Sequence, residues 1–318
     1  MKWYTKILYA PLGWGLHLLA WMPWWVLYLH ADILYFIAYH VVGYRKNVVR
    51  QNLKECFPEK SDEERKAIEK EFYHHLADLF VEIIKPLHIT DEEMRKRMVF
   101  HNGKAIDDAL NNNQSLILYL EHYANWEWLT SITLWFDSAA HGDVVQGQVY
   151  QPLENEWFDK LFLKIRQRFN TVCFDKKIIL REMIRRERSG QHLGIGFNSD
   201  QHPWTNDEGH VLDFLHHPTA FVTGTEAIAR KLKCRVVYLD IRKIKRGYYE
   251  CFIVPMSDNC ALETPGTITT RFARMLEKKI QEEPAYWLWT HKRWKRPVTF
   301  PEGYSRDNEL EFYAKGKQ

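Results

Sequence analysis

The sequence predicts an α/β protein with a central, mostly parallel or mixed sheet flanked by helices, preceded by an N-terminal apolar helical membrane anchor. Two observations support this class. From residue 115 onward, short runs rich in β-forming residues alternate with helical segments, and connections of this length imply a mainly parallel sheet. At the N-terminus, Asp32 is the only Asp, Glu, Lys or Arg between Ile7 and Val42. The chain is therefore divided into an apolar aromatic segment and a polar body.

The N-terminal segment, residues 1–43, is expected to form two helices near 7–20 and 24–42, because Pro23 divides it. It is too long and aromatic for a cleavable signal peptide, so we expect it to be retained. Its tryptophans favour a helical hairpin sunk in one membrane leaflet or a marginal span. The alternative is a buried core hairpin of a soluble protein, which the charge of Asp32 supports.

Residues 44–301 are interpreted as one α/β domain, and residues 302–318 as a polar, loosely packed tail. Residues 44–100 have helical periodicity, with a capping box from Ser61 to Glu64 and a helix end at Pro86. A hairpin around Lys245-Arg246-Gly247 predicts mixed strand direction near one edge. The predicted strands are 115–123, 143–150, 171–174, 192–200, 211–215, 235–243 and 248–255. The predicted later helices are 125–136, 152–169, 176–188, 219–233 and 267–283.

Composition excludes several classes of function. Lys and Arg exceed Asp and Glu by 44 − 41 = 3, which is too balanced to indicate a nucleic-acid partner. Five cysteines form no CxxC pair, so a disulfide framework or cysteine zinc site is not expected and a reducing compartment fits best. No nucleotide-binding motif is present. We therefore predict no metal and no cofactor.

The residues that follow the first strong strand are the principal candidates for chemistry. Ligands of open α/β sheets bind beyond the carboxyl ends of strands. His122 ends that strand, and Glu127 opens the next helix. If His122 lies in the turn, a carboxylate beside it fixes the imidazole tautomer and raises its basicity, as deprotonation of a hydroxyl requires. Taken alone, an H-x4-E pattern is equally compatible with a surface histidine or one satisfied in the core.

Four blocks together resemble the bacterial lipid A late acyltransferases, the lauroyl and myristoyl transferases of the glycerolipid and lysophospholipid acyltransferase group, whose mark is H-x4-D/E. The blocks are HYANWEW (122–128), VYQPLEN (149–155), NSDQ (198–201) and WLWTHKRWK (287–295). The resemblance covers nearly the whole chain. Two positions depart from the family pattern: Gln151 replaces a usual Arg, and Phe169-Asn170 replaces a common Gly.

The resemblance implies a membrane-bound O-acyltransferase at the cytoplasmic face of the bacterial inner membrane. It would move a fatty acyl chain from an acyl carrier protein thioester to a hydroxyl of a lipid A precursor. His122 would be the base and Glu127 its orienting carboxylate, with Arg166 or Arg168 in place of the missing family arginine. The expected substrate-binding residues are Asn125, Trp126, Tyr150, Arg166, Asp200, Gln201 and Arg293.

Three basic clusters are candidates for docking the acidic carrier protein or anionic lipid, although each is also compatible with an ordinary solvated face. They are Arg181, Arg185, Arg186 and Arg188; Lys243, Lys245 and Arg246; and Lys292, Arg293, Lys295 and Arg296.

Three other interpretations stay open at this point. The acceptor is another hydroxylated or amino lipid; or the protein is a hydrolase using His122 and a distant nucleophile; or it is a non-catalytic lipid-binding protein. The absence of a G-x-S-x-G elbow counts against the hydrolase.

Overall fold

The computed structural model describes residues 3–135, 144–203 and 210–315. Its strands are β1 (Met98–His101), β2 (Leu116–Leu120), β3 (Val144–Tyr150), β4 (Val172–Asp175), β5 (His192–Asn198), β6 (Val211–Phe214), β7 (His217–Ala220), β8 (Arg235–Lys245) and β9 (Tyr248–Ser257). Its α-helices are α1 (Trp3–Trp21), α2 (Trp24–Phe36), α3 (Lys46–Cys56), α4 (Asp62–Ile84), α5 (Asp91–Arg97), α6 (Lys104–Asn111), α7 (Glu156–Arg166), α8 (Ile179–Arg188), α9 (Gly224–Lys231), α10 (Thr267–Glu282) and α11 (Glu309–Lys315). A π-helical turn spans Ile37–Val41, and 3₁₀ helices span Lys85–Leu87, Trp126–Leu134, Cys260–Leu262, Pro284–Tyr286 and Arg306–Asn308.

Seven strands form one mixed sheet in the order β1-β9-β8-β2-β5-β3-β4. Strands β8, β2, β5, β3 and β4 are parallel, whereas β9 is antiparallel to β8 and β1 is parallel to β9. The α/β class and the reversed direction at one edge are thus confirmed. The edge strand β1 was missed, because helical periodicity was expected as far as residue 100. Strands β6 and β7 form a separate antiparallel pair.

The centre of the sheet is the core of the domain. All five residues of β2, LILYL, are buried, as expected for a strand covered by helices on both faces. Its neighbours β5 and β8 both run parallel to it, with Leu120 of β2 opposite Asn198 of β5. The residues that follow β2 and β5 therefore emerge side by side at one edge of the sheet.

The N-terminal segment forms helices on either side of Pro23, as the sequence predicts. Helix α2 packs on α4, and Leu27 and Ala31 form a small buried cluster with Ala77 and Val81. Within the described residues no single helix is long and apolar enough to cross a bilayer. The pair Trp24–Val41 and Lys46–Cys56, bent by 84°, meets the same limits by length and composition alone.

The C-terminal residues differ from the loose tail expected for 302–318. A 3₁₀ turn and α11 occupy 306–315, and Tyr313 and Glu309 are buried. Arg274 of α10 donates to Glu309 at 2.7 Å. The partner of Glu309 on α10 lies more than thirty residues away along the chain, so this contact was not apparent from local sequence. The described part of this segment therefore packs on α10.

Candidate active site

The order of the strands brings His122 together with Asp200, which is 78 residues away along the chain. Ser199 donates its backbone N–H to the Leu120 carbonyl at 3.0 Å, so the pairing of β2 with β5 continues to the first residue of the turn. The side chains at the next positions, His122 and Asp200, then meet at the carboxyl edge of the sheet, where ligands of α/β proteins bind.

Asp200 holds the imidazole through a complete set of hydrogen bonds. Its Oδ1 lies 2.7 Å from Nδ1 of His122, and its Oδ2 accepts from the backbone N–H of His122 at 3.0 Å. Oδ2 also accepts from Nε1 of Trp287 at 3.0 Å. The carboxylate is 2% exposed, whereas the His122 side chain is 18% exposed. An ionised Asp200 accepts, so Nδ1 carries the proton and Nε2 of His122 offers a lone pair.

The pKa values of the two groups move in the directions that this contact requires. Burial by itself lowers the pKa of His122, but the charge and hydrogen bond of Asp200 outweigh it, and the pKa is raised above 6.5. Burial by itself raises the pKa of Asp200, but the charge and bonds of His122 and the Trp287 bond lower it to about 2. Imidazolium is therefore stabilised beside a carboxylate that stays ionised, as a general base needs.

Glu127 differs from its expected role as the carboxylate that orients His122. It forms a two-pronged ion pair with Arg166 of α7, with Nε at 2.8 Å and Nη2 at 2.6 Å. The charges of Glu127 and Arg166 do act on His122, raising and lowering its pKa respectively. The reason for the difference is spatial: Asp200, expected only to bind substrate, approaches Nδ1 from the neighbouring strand.

Three of the four motif residues between His122 and Glu127 are buried. Asn125 is fully buried, donates to Glu82 at 2.7 Å, and caps the 3₁₀ helix by accepting from the Trp128 amide at 3.3 Å. Trp126 remains partly exposed and places its ring edge-on to His122, with centroids 5.2 Å apart. Asn125 thus contacts the protein interior, and Trp126 is the motif side chain that borders His122.

The C-terminal block joins the site through main-chain pairing. Tyr123 and Trp287 form an isolated antiparallel bridge, and Leu288 donates to the His122 carbonyl at 3.1 Å. This pairing places the indole of Trp287 on Asp200. The contact of Trp287 with Asp200 had no counterpart in local sequence.

The other predicted substrate-binding residues lie at different depths. Gln201 places Nε2 3.3 Å from Nε2 of His122, within hydrogen-bond distance of its lone pair. Tyr150 ends β3 at the same edge and is half-buried, near enough for the Arg166 charge to act on it. Arg293 is 1% exposed and donates to the Ala220 carbonyl at 2.6 Å. Burial lowers the pKa of Arg293 to about 10.

His291 is a neighbour of the site to which sequence reasoning gave no role. Burial, together with the charges of Arg293 and His122, lowers its pKa to about 4, although Asp200 opposes this. It is therefore neutral at pH 7. Within residues 3–135, 144–203 and 210–315, no group of three or more His, Cys, Asp or Glu side chains is arranged to hold a metal ion.

A buried carboxylate and the imidazole that it orients meet at the carboxyl edge of the sheet, an arrangement suited to general acid–base chemistry. Comparison with known proteins specifies the class. Residues 3–296 match the family of bacterial lipid A biosynthesis acyltransferases, so the chain belongs to that family. It is an acyltransferase of lipid A biosynthesis, acting on a lipid A or related glycolipid acceptor.

The chain is similar over most of its length to several named members. It is 26% identical to the lipid A biosynthesis lauroyltransferase of Escherichia coli strain K12 over 292 residues, covering 91% of this chain and 92% of the relative. It is 23% identical to the palmitoleoyltransferase of the same strain over 262 residues, covering 80% of each. A Haemophilus influenzae lipid A biosynthesis acyltransferase is 23% identical over 254 residues, covering 79% of this chain and 78% of the relative.

Proposed function

We propose that this protein transfers a fatty acyl chain from an acyl carrier protein thioester to a hydroxyl of a lipid A precursor, with His122 as the general base. The observation that carries the proposal is the contact of His122 Nδ1 with Asp200 Oδ1 at 2.7 Å, which leaves Nε2 of His122 as the atom that can accept a proton. Gln201 Nε2 lies 3.3 Å from that atom and donates to it, so the hydroxyl of the lipid would replace this amide as the hydrogen-bond donor to Nε2.

The transfer requires no covalent enzyme intermediate. Nε2 of His122 takes the hydroxyl proton as the oxygen attacks the thioester carbonyl carbon, and Asp200 stabilises the imidazolium. The C–S bond then breaks, and the thiolate leaves with little acid assistance, because thiol pKa values lie near 8.5. The proton on His122 passes to the thiolate or to solvent. The result is one new ester and one free thiol.

Arg166 is our candidate for stabilising the thioester oxyanion. Its Nε and Nη2 bind Glu127, while Nη1 makes no hydrogen bond within the described part of the chain. The side chain is 20% exposed, and we propose that Nη1 faces the bound thioester. The backbone amides of Trp126 and Glu127 are further candidate donors, since the first residues of a helix have no intrahelical acceptor; the Trp128 amide is already bound to Asn125. A donor aimed at a developing oxyanion contributes a few kcal/mol.

Two of the three basic clusters fit carrier docking poorly. Arg185 and Arg186 both contact Glu182, and α8 ends just before β5 begins, at the sheet edge opposite the site. With about 3.3 Å per strand residue, that edge is about 20 Å from His122. In the hairpin cluster, Lys243 contacts Asp78 and Arg246 contacts both Asp78 and Asp32.

Two exposed lysines of the third cluster, Lys292 and Lys295, are therefore the proposed docking surface for the carrier, whereas its Arg293 is buried. Lys292 and Lys295 are exposed and follow Trp287, the residue bound to Asp200. Positive charge beside the site complements an acidic partner and steers its approach.

Membrane association is proposed from the exposed side of α1 and α2. Trp14, Trp21 and Trp25 are 78%, 72% and 73% exposed, and Leu29 and Ile33 are more than half exposed. A contiguous apolar surface rich in tryptophan is typical of a helix lying at the membrane boundary. We propose that this face rests in the cytoplasmic leaflet of the inner membrane and presents the site to a lipid acceptor.

The deciding experiment combines purified protein, acyl carrier protein loaded with defined acyl chains, and a lipid A precursor, with mass spectrometry of the lipid product. We expect the lipid product to carry one added acyl chain, and we expect no such product with the His122→Ala variant. If a product forms only with a different hydroxylated or amino lipid, that lipid is the acceptor instead of the lipid A precursor. Release of free fatty acid without formation of an acylated lipid contradicts the assignment as a transferase. Unchanged transfer in His122→Ala contradicts the assigned base.

A further inference from the structure

Glu82 of α4 is a fully buried carboxyl group that the mechanism does not use. Its Oε2 accepts from Asn125 Nδ2 at 2.7 Å and from the Tyr249 hydroxyl at 2.8 Å, while its Oε1 accepts from the Tyr28 hydroxyl at 2.9 Å. Its backbone carbonyl accepts from Trp128 Nε1 at 3.1 Å. One residue of α4 therefore binds both Asn125 and Trp128, within and just after the segment 123–127 that follows His122.

That turn needs to be held. Ala124 has a φ of 47°, in the left-handed region, where a residue with a Cβ costs on the order of 1 kcal/mol. Its amide donates to the Tyr286 carbonyl at 2.9 Å on one side, and Asn125 donates to Glu82 on the other. Residues 123–127 connect the base His122 to Glu127 and its partner Arg166. Their conformation fixes the distance between the proton acceptor and the cation.

A carboxyl group is a costly choice for packing alone. Burial, with the charge of Asp78, raises the pKa of Glu82 to about 7 in spite of the tyrosine bonds. Among the described residues it has no ion-pair partner within 4 Å. An apolar side chain of the same size would fill the volume without a desolvation cost. What the carboxyl provides is a set of acceptors in fixed positions.

We propose that Glu82 is a positioning residue for acyl transfer. It holds residues 123–127 so that His122 keeps its hydrogen bond to Asp200 and its distance from Arg166. The inference rests on the proposed function, since its effect is measured on transfer. Displacement of a reacting group by about 1 Å costs on the order of 100-fold in rate. Glu82→Met fills the space but removes every side-chain acceptor.

We expect Glu82→Met to lower kcat about 100-fold with both KM values within about threefold. The acid limb of the pH–rate profile should also move to lower pH, because His122 loses part of its contact with Asp200. Glu82→Gln should recover most of the rate, since its carbonyl oxygen still accepts from Asn125. Tyr249→Phe is the matched control: it removes a hydrogen bond to the same Glu82 oxygen but leaves the Asn125 bond. It should lower thermal stability without moving the pH profile.

An exchange of partners keeps the proposal testable if Glu82→Met does not fold. Asn125→Asp places two carboxyl groups in contact and should lower kcat, whereas adding Glu82→Gln restores a donor and an acceptor and should recover at least tenfold. Failure of the double variant to recover overturns the proposal. So does a folded Glu82→Met protein with native kcat and pH profile.

The two proposals fail in different ways. If the native protein transfers no acyl chain to any lipid A precursor, the function fails. Glu82 is then tested by NMR titration of His122, whose pKa should fall in Glu82→Met. An unchanged His122 pKa in that variant overturns the positioning role without any turnover measurement.

Discussion

Replacement of Asp200 by asparagine is expected to disable the base while leaving the shape of the site intact. In the native site Oδ2 of Asp200 accepts from two N–H donors, the backbone of His122 and the indole of Trp287. The side-chain carbonyl oxygen of the introduced asparagine must take that position, because an amide NH₂ cannot accept. The NH₂ group then faces Nδ1 of His122. It forces the tautomer with the proton on Nε2, which has no lone pair for the substrate hydroxyl.

The size of the effect follows from the loss of the correct tautomer and of the carboxylate charge. The same change in a serine protease triad lowers kcat about 10⁴-fold. We expect a fall of about 10³ to 10⁴, equivalent to about 4 to 5.4 kcal/mol of barrier. The pKa of His122 should also fall, since burial lowers it and the opposing carboxylate is gone. The residual activity should therefore extend to lower pH than in the native protein.

The assay is acyl transfer to the lipid acceptor as a function of pH, with Glu127→Gln as the comparison. Glu127 contacts Arg166, so its variant should lose rate without the same shift of the acid limb. Thermal unfolding confirms that both variants are folded. An Asp200→Asn protein with a rate within tenfold of native, together with a Glu127→Gln protein whose acid limb moves further than that of Asp200→Asn, would refute the assignment and restore Glu127 as the orienting carboxylate.

Three further outcomes are expected. Arg166→Met leaves the Glu127 carboxylate, 6% exposed, without its cation and should cost about 3 kcal/mol in urea unfolding, most of it recovered when Glu127→Gln is added. Trp287→Phe removes one donor to Asp200 and should cost about 1 kcal/mol by the same measurement; a neutral result would mean that water replaces the indole. The pKa of Asp200 falls from 3.8 to about 2 on folding, so its stabilisation of about 2 kcal/mol is present above pH 3.8 and lost as pH falls through 2. Acid unfolding followed by circular dichroism should show this loss in the native protein and not in Asp200→Asn.

Local sequence was sufficient for elements whose signals are short-range. Pro23 separates α1 from α2, and the Ser61–Glu64 capping box begins α4, because each effect acts within a few residues. The alternation of strands and helices predicted the parallel sheet, and the end of β2 predicted where His122 would stand. The helix expected over 125–136 is instead a 3₁₀ helix ending at Leu134, held by tertiary contacts such as that of Trp128 with Glu82.

What the sequence by itself determined is therefore a histidine at the carboxyl edge of an α/β sheet, with acidic, basic and aromatic residues in blocks around it. Only the tertiary structure decided the partners: Asp200 for His122, Arg166 for Glu127, and Trp287 for Asp200. The physical reason is that strand order is set by long-range packing. Strands β2 and β5 are neighbours although the residues that follow them are 78 positions apart. A spacing of five residues along the chain carries no information about a carboxylate that arrives from the adjacent strand.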